Sequence, residues 1–355
     1  MRGAAIDASG RLTDVAVWRP AEPDGVGDLY GGRIIRHVPA LAGAFVALGR
    51  EQDGFLPDRD GAVGLAEGTL LAVRIVRAAQ GGKGPRLSCC LAPEEREAAK
   101  GLVGLVRRGA NPIERLAGWW PGAPIAVDDA EIAVELGAAL PGRIKRGSGF
   151  DPALEGEIAE LAAPEVALAG GARLTIQPTR AVVAIDVDAG AAAGLVAEAH
   201  RAINRAAIPE IARQIRLRNL SGAILVDLAG QSVRARRGFS AAFATALAPD
   251  PIGPRLLGFT ALGLAEILRP RQAPPLFELL AGPFAAGLAA LREVVRASLA
   301  EPAAVWGLAA APGVVAALEA DSVALRALQR RTGRALSLRS DPGLGAERWL
   351  LERVR

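Results

Sequence analysis

The sequence predicts a mixed α/β protein of several domains, and three observations point to it. Between Leu29 and Leu91, five short β-like segments are separated by Gly-rich turns, the spacing of a small closed barrel and most simply of an OB-fold. Residues 171–247 run strand, helix, strand, helix, the order of an α/β sheet. Residues 283–355 repeat that mixture on a smaller scale, after a linker marked by Pro274-Pro275 and Gly282-Pro283. A chain of 355 residues suffices for two or three domains. With 51% hydrophobic and 23% charged residues, global disorder is excluded, and 4% aromatics leave the core to Ala, Val, Leu and Ile.

Taken in order, residues 1–20 read as a hairpin turning at Ala8-Ser9-Gly10, and the Pro/Gly/Asp-rich stretch from Pro20 to Gly27 ends it. The barrel strands are Arg33–Val38, Gly43–Leu48, Asp53–Pro57, Leu70–Val76 and Arg86–Leu91. A short helix over Pro93–Gly101 precedes Gly104–Gly109, and Trp119 and Trp120 stand before a turn. Ile125–Asp128 reads as a strand and Ala130–Leu136 as a short helix. In Asp151–Leu161 the apolar Leu154, Ile158 and Leu161 have helical spacing. Arg173–Ile176 is a strand, and Ala181–Val187 and Gly222–Leu228 are nearly continuous apolar strands, expected to be buried on both faces. A long helix from Gly194 to Arg218, interrupted at Pro209, joins them, and Ser232–Leu247 returns as a helix. The apolar run before Arg269 reads as a helix too. The last unit holds a helix over Ala285–Ala300, a strand at Ala303–Gly307, mostly helix over Val314–Arg331, and strands at Arg334–Arg339 and Arg348–Arg353.

Charge and cysteine usage bound the setting. Forty-two basic against 38 acidic residues give +4, too little to name a nucleic-acid partner, so the location of charge matters more than its sum. Only Lys83, Lys100 and Lys145 are lysines. The N-terminus lacks the apolar stretch of a signal peptide, and no run of 18 apolar residues predicts a membrane span. Cys89 and Cys90 are adjacent, which disfavours an unstrained disulfide, and two thiols alone make no zinc site; a reducing, cytoplasmic setting fits.

Two aspartates, Asp186 and Asp227, end the two apolar strands, and Asp188 lies two residues beyond the first, on the same side of its strand. If the strands are neighbours, two carboxylates emerge at one sheet edge, where Mg²⁺ relieves their repulsion and keeps several waters. The plain alternative is a pair of strand-end acids capping backbone amides. Between Arg213 and Arg271 nine arginines face three acids, Asp227, Asp250 and Glu266. A basic neighbourhood around an acidic pair suits a phosphodiester held by guanidinium groups. A solvated helix face accounts for Arg213, Arg216 and Arg218 equally well, but less well for Arg269 and Arg271, on either side of Pro270.

Pro178-Thr179-Arg180-Ala181-Val182-Val183-Ala184-Ile185-Asp186-Val187-Asp188 resembles the metal-binding strand of the ribonuclease E/G family. So does Glu210-Ile211-Ala212-Arg213-Gln214-Ile215-Arg216-Leu217-Arg218-Asn219-Leu220-Ser221-Gly222-Ala223-Ile224-Leu225-Val226-Asp227, the most specific stretch. Colinear echoes extend from Tyr30-Gly31-Gly32-Arg33-Ile34 through Ala44-Phe45-Val46, Gly54-Phe55-Leu56-Pro57 and Gly82-Lys83-Gly84 to Leu262–Arg269. The resemblance implies an RNase H-like domain (1–28 and 120–170) with an inserted OB-fold RNA-binding domain (29–92) and a reduced 5′-sensor region (93–119). It further implies a DNase I-like catalytic domain (171–273), followed here by a small C-terminal domain (284–355). The implied activity is Mg²⁺-dependent cleavage of single-stranded RNA to 5′-phosphate and 3′-hydroxyl ends. By the same resemblance Asp186 and Asp227 hold one Mg²⁺, with Asp188 beside them at the catalytic centre, Phe45 and Phe55 stack or pack against bases, and Lys83 meets a phosphate. Phe45 fits the barrel core equally well, because alternation does not fix its face. Arg107, Arg108, Arg269 and Arg271 complete the expected RNA contacts.

The sequence also departs from the family pattern. Asp188 stands where the family has Asn, placing a third carboxylate near the metal. The family's Cys-Pro-x-Cys zinc link is replaced by Glu278-Leu279-Leu280-Ala281-Gly282-Pro283, so no zinc is expected and any homo-oligomer forms without it. Arg107 matches the sensor arginine, but Arg108 replaces the following Thr. Two other readings stay open: an RNA-binding relative that has lost turnover, and a DNA nuclease.

Overall fold

The computed structural model describes residues 1–147, 149–190 and 197–354. These separate into two compact units: residues 1–18 with 24–276, and residues 19–23 with 277–355.

The first unit opens on an antiparallel hairpin, β1 (Arg2–Ile6) and β2 (Leu12–Val17). The barrel follows: β3 (Leu29–Val38), β4 (Gly43–Ala47), β5 (Gly54–Pro57), β6 (Leu70–Arg77) and β7 (Arg86–Ser88). It closes because the ten-residue β3 pairs with β4 through its second half and with β6 through its first, while β5 and β7 meet in parallel. The strand order β3-β4-β5-β7-β6-β3 is an OB-like closure. Tyr30, Ile34, Ala44, Val46, Leu56, Val73, Ile75 and Leu87 fill the interior. After α1 (Pro93–Ala98), β8 (Gly104–Arg107) adds to β3, so part of the expected sensor region is a strand of the barrel sheet. Cys89 and Cys90 fall just after β7 rather than within it.

Next come α2 (Pro112–Trp119), β9 (Ile125–Val127), α3 (Ala130–Ala139), β10 (Ile144–Arg146) and α4 (Pro152–Glu160). Asn111, Asp129 and Asp151 cap the three helices through backbone amides of the first turn. β9 and β10 run parallel, and Trp18, Ile113, Val127 and Leu136 form the shared core.

The segment with the paired aspartates forms one six-stranded mixed sheet. Its strands are β11 (Glu165–Ala167), β12 (Arg173–Pro178), β13 (Val183–Asp188), β14 (Gly222–Asp227), β15 (Arg255–Phe259) and β16 (Ala265–Arg269), in the order β11-β12-β13-β14-β16-β15. Helices α5 (Ala197–Leu217), α6 (Val233–Arg237) and α7 (Ser240–Leu247) return between the strands. The expected start of α5 at Gly194 lies outside the described residues. Pro209 does not interrupt α5, although an interior proline costs about 3 kcal/mol. Ala207, Ile208, Ile211 and Ile215 of the same helix are fully buried, and that packing outweighs propensity.

Two expectations fail here. β13 and β14 are covered on one face only: Val183, Ile185 and Val187, with Ile224 and Val226, are buried, whereas Ala184, Asp186, Asp188, Leu225 and Asp227 face the open side. Antiparallel β12 and β16 flank the parallel pair, so no crossover helix is required on the second face. The run before Arg269 is strand β16, antiparallel to β14, because a short, mostly apolar run interrupted by Glu266 carries no decisive period.

After α8 (Leu276–Leu280), the second unit packs α9 (Gly282–Ala300), α10 (Pro312–Ala320) and α11 (Ser322–Thr332) with a small sheet. That sheet is β17 (Val305–Ala310) between parallel β18 (Ser337–Ser340) and antiparallel β19 (Trp349–Val354). Ala290, Val294, Leu308, Val314 and Leu318 are central to its core.

Candidate active site and nucleic-acid interface

Parallel pairing of β13 with β14 sets Asp186 directly opposite Asp227. Both strands alternate with period two and bury their Ile and Val side chains, so both carboxylates emerge on the open face. Asp186 has no basic partner in contact among the described residues. Partial desolvation, then the charges of Asp227 and Asp188, push its carboxyl above the ordinary aspartate range. Asp227 Oδ1 accepts from Arg236 Nη1 at 2.5 Å, and Arg236 also donates through Nε to the Gln231 carbonyl at 2.9 Å.

Asp188 is held differently. Register places it opposite Arg173 of β12, whose Nε and Nη2 lie 3.0 and 2.8 Å from its Oδ2. Its Oδ1 accepts from the Gly190 amide at 2.8 Å. That amide, then Arg173, lowers its carboxyl below the ordinary range. Among the described residues no group of three or more His, Cys, Asp or Glu side chains is placed to hold a metal ion. The turn beyond Asp227 is pinned by Asn204, fully buried on α5, which donates to the Ala229 carbonyl at 2.8 Å and accepts from its amide at 2.9 Å. Sequence reading counted Arg236 only as part of the basic neighbourhood and missed Arg173 and Asn204; only the strand register and the return of the helices reveal their partners.

The nine arginines do not act as one basic field. Arg213 pairs with Glu157 and Glu210, and Arg216 grips Asp14 while covering the Trp120 ring, so neither belongs to a solvated helix face. Arg218 is 6% exposed and bonds to Gln214 and to the Ala163 carbonyl. Arg269, expected to bind RNA, is 1% exposed; its Nε donates to Asp250 at 2.7 Å and its Nη1 to Asn219 at 2.7 Å. It points inward because β16 alternates and Arg269 falls on the same face as Ala265 and Ile267. Arg234, Arg237, Arg255 and Arg271 remain exposed.

On the barrel, Phe45 and Phe55 stand opposite each other across β4 and β5, edge to face with centroids 5.6 Å apart. Both are half-buried, while their neighbours Ala44, Val46 and Leu56 are fully buried, which assigns the two rings to the outer face rather than the core. Register extends them into a row across five strands: Arg77, Arg86, Phe55, Phe45 and Arg36. Arg36 covers the Phe45 ring at 5.7 Å. Lys83 is exposed at the tip of the β6–β7 hairpin, where Gln80 and Lys83 bridge.

Arg107 and Arg108 diverge. Arg107 pairs with Glu95, which also binds Arg74, and Arg108 Nη1 lies 2.6 Å from Asp28 Oδ2. Both carboxylates are buried, and the two arginines are drawn to different counter-ions, Glu95 being shared with Arg74. Burial, followed by the neighbouring Cys90, pushes the Cys89 thiol up to about 11, away from a metal-binding thiolate.

Residues 150–272, which contain the paired aspartates, match the model of the Ribonuclease E/G family. Ribonuclease E of Nostoc sp. is 38% identical over 125 residues, covering 34% of this chain and 18% of that protein. Ribonuclease G of Escherichia coli K12 is 35% identical over 126 residues, 33% of this chain and 25% of the other. Ribonuclease G of Salmonella typhimurium is 31% identical over 154 residues, 40% of this chain and 30% of the other. The chain thus spans less than a third of the length of these relatives. A solved multidomain protein with nucleic acid binding domains from Streptococcus pneumoniae TIGR4 aligns at 17% identity and a TM-score of 0.18, covering 25% of this chain and 34% of the other, too weak to carry an argument. Through the segment that builds the six-stranded sheet and its facing aspartates, the chain is similar to the ribonuclease E/G family.

Proposed function

We propose that this protein is an Mg²⁺-dependent endoribonuclease that cuts single-stranded RNA to 5′-phosphate and 3′-hydroxyl ends. The observation that carries the reading is the register of Asp186 against Asp227, inside the segment that matches the family. Two facing carboxylates, of which Asp186 is still held above its ordinary range by the charges beside it after partial desolvation, suit a cation that keeps several waters. Held there, Mg²⁺ would supply charge neutralisation for hydrolysis of a phosphodiester. Arg236 offsets the charge of Asp227, and Arg173 with the Gly190 amide offsets Asp188, so the additional carboxylate does not confront an incoming phosphate as a bare charge. Phe45 and Phe55 offer stacking surfaces to unpaired bases, which favours single strands over helical RNA. Exposed Arg271, with Lys83 on the barrel, would neutralise phosphates. The same reading takes residues 171–273 as DNase I-like and residues 1–28 with 120–170 as RNase H-like, and places the protein in the cytoplasm. Any oligomer would form without a zinc link.

One observation favours a second reading, RNA binding without turnover: the Asp227 ligand atom is already engaged by Arg236. A labelled single-stranded RNA incubated with Mg²⁺, with EDTA, and beside a DNA of the same sequence separates the readings. Cleavage of RNA alone, abolished by EDTA, is expected. Binding without cleavage supports the second reading, and equal cleavage of DNA overturns the assignment to RNA.

The separate counter-ions of Arg107 and Arg108 bear on the 5′ end. Since the two guanidinium groups are drawn to Glu95 and Asp28, they do not converge on one phosphate. A 5′-monophosphate is expected to accelerate cleavage by about tenfold or less, equivalent to about 1.4 kcal/mol. Rates for one oligonucleotide with a 5′-hydroxyl or a 5′-monophosphate test this; a hundredfold preference lost in Arg107→Ala would show a working sensor.

A further inference from the structure

We propose that Arg77, Gln80 and Arg271 form an anion subsite, at the Arg77 end of the barrel's aromatic row, that takes one backbone phosphate of a single-stranded RNA. The proposal rests on the endoribonuclease reading and adds to it where the strand leaves the barrel. Arg77 Nε and Gln80 Nε2 are buried donors without an acceptor among the described residues. Native structures almost always give such donors a protein, water or ligand partner. The charges acting on Arg77 are those of Arg86 and Arg271, both of which, after burial itself, depress its affinity for a proton; no carboxylate is among them. Arg86 has its own counter-ion, Asp60, at 2.9 Å. Arg74, Arg107, Arg108, Arg216 and Arg269 each pair with a carboxylate, whereas Arg77 combines a buried Nε without an acceptor with surroundings that hold no carboxylate.

The backbone makes room for this arrangement. Gly222 has φ +85°, and a Cβ built there would lie 2.4 Å from Arg271 Nη2, so glycine admits the guanidinium against the start of β14. The Ala78 amide donates to the Gln272 carbonyl at 2.7 Å, tying the end of β6 to the residue after Arg271. Arg77 is opposite Arg86, which is opposite Phe55, which is opposite Phe45. A strand stacked on the two rings therefore runs into positive charge and unpaired donors, the chemistry that recognises a phosphodiester.

RNA affinity measured by anisotropy against salt concentration, in EDTA and in chain already carrying Asp186→Asn, tests the subsite. Adding Arg77→Gln is expected to weaken binding about tenfold at low salt. The salt slope should fall by about 0.7, one phosphate contact on a single strand. Phe55→Ala should weaken binding with the slope unchanged. Gln80→Glu puts a carboxylate at the hairpin three residues beyond Arg77; if the subsite is as proposed, it should raise the melting temperature and weaken RNA binding together, a combination a purely structural role would not produce. If Arg77→Gln does not fold, Gln80→Glu decides. Unchanged affinity and slope in a folded Arg77→Gln or Gln80→Glu chain overturns the subsite while leaving the endoribonuclease reading intact. A parent chain that binds no RNA overturns that reading and the subsite with it.

Discussion

Asp186→Asn and Asp227→Asn are each expected to reduce RNA cleavage by on the order of 10²-fold or more, equivalent to about 2.7 kcal/mol of transition-state stabilisation. Neither change alters side-chain volume, and both residues face the open side of the sheet, so fold and RNA affinity should persist. The two variants should differ in stability. The Asp186 carboxyl lies above the ordinary aspartate range in the folded chain, so the folded state holds its proton more tightly than the unfolded state does. Ionised Asp186 therefore lowers stability as pH rises through the interval between its unfolded and folded values. Asp186→Asn should melt higher than the parent at neutral pH and lose that advantage in acid. Asp227→Asn should show no such gain, since it removes the partner of Arg236. Cleavage rates and melting curves against pH, on purified folded variants, measure both effects; near-normal turnover in either variant would remove it from the metal-binding assignment.

Arg269→Ala is expected to destabilise the protein by about 3–5 kcal/mol, the loss usual when one partner of a buried ion pair is removed. The variant leaves Asp250, 7% exposed, without the two guanidinium nitrogens that bond it, and removes the donor to Asn219 and to the Leu220 carbonyl. Asn219 adopts φ +49° beyond the end of α5. Arg269 thus ties the start of β14 to the turn holding Asp250, and its loss should loosen the sheet that carries Asp227. A double variant with apolar residues of similar volume at 269 and 250 should recover much of the loss, because neither charge is then stranded. Denaturant unfolding measures the effect. Arg269→Ala with unchanged stability and weakened RNA binding would instead return Arg269 to the RNA interface.

The sequence by itself determined the locally encoded parts of this protein. Five β-like segments with Gly-rich turns specify the barrel, because alternation and turn chemistry act within a few residues. The apolar strands that each end in aspartate, with one helix between them, specify a parallel pair with its acids at one edge, because a crossover helix brings consecutive strands side by side. Tertiary structure decided which charges meet. Nine arginines in one segment read as a basic field, yet Arg213, Arg216, Arg236 and Arg269 spend their charge on Glu157, Asp14, Asp227 and Asp250, acids nine to about 200 residues away in sequence. It also decided the face of Phe45, the Asp188–Arg173 pair and the row from Arg36 to Arg77, all consequences of strand register. Periodicity records which side of an element faces inward. It does not record what lies opposite, and an ion pair depends on distances of a few ångströms between residues that only the folded chain brings together.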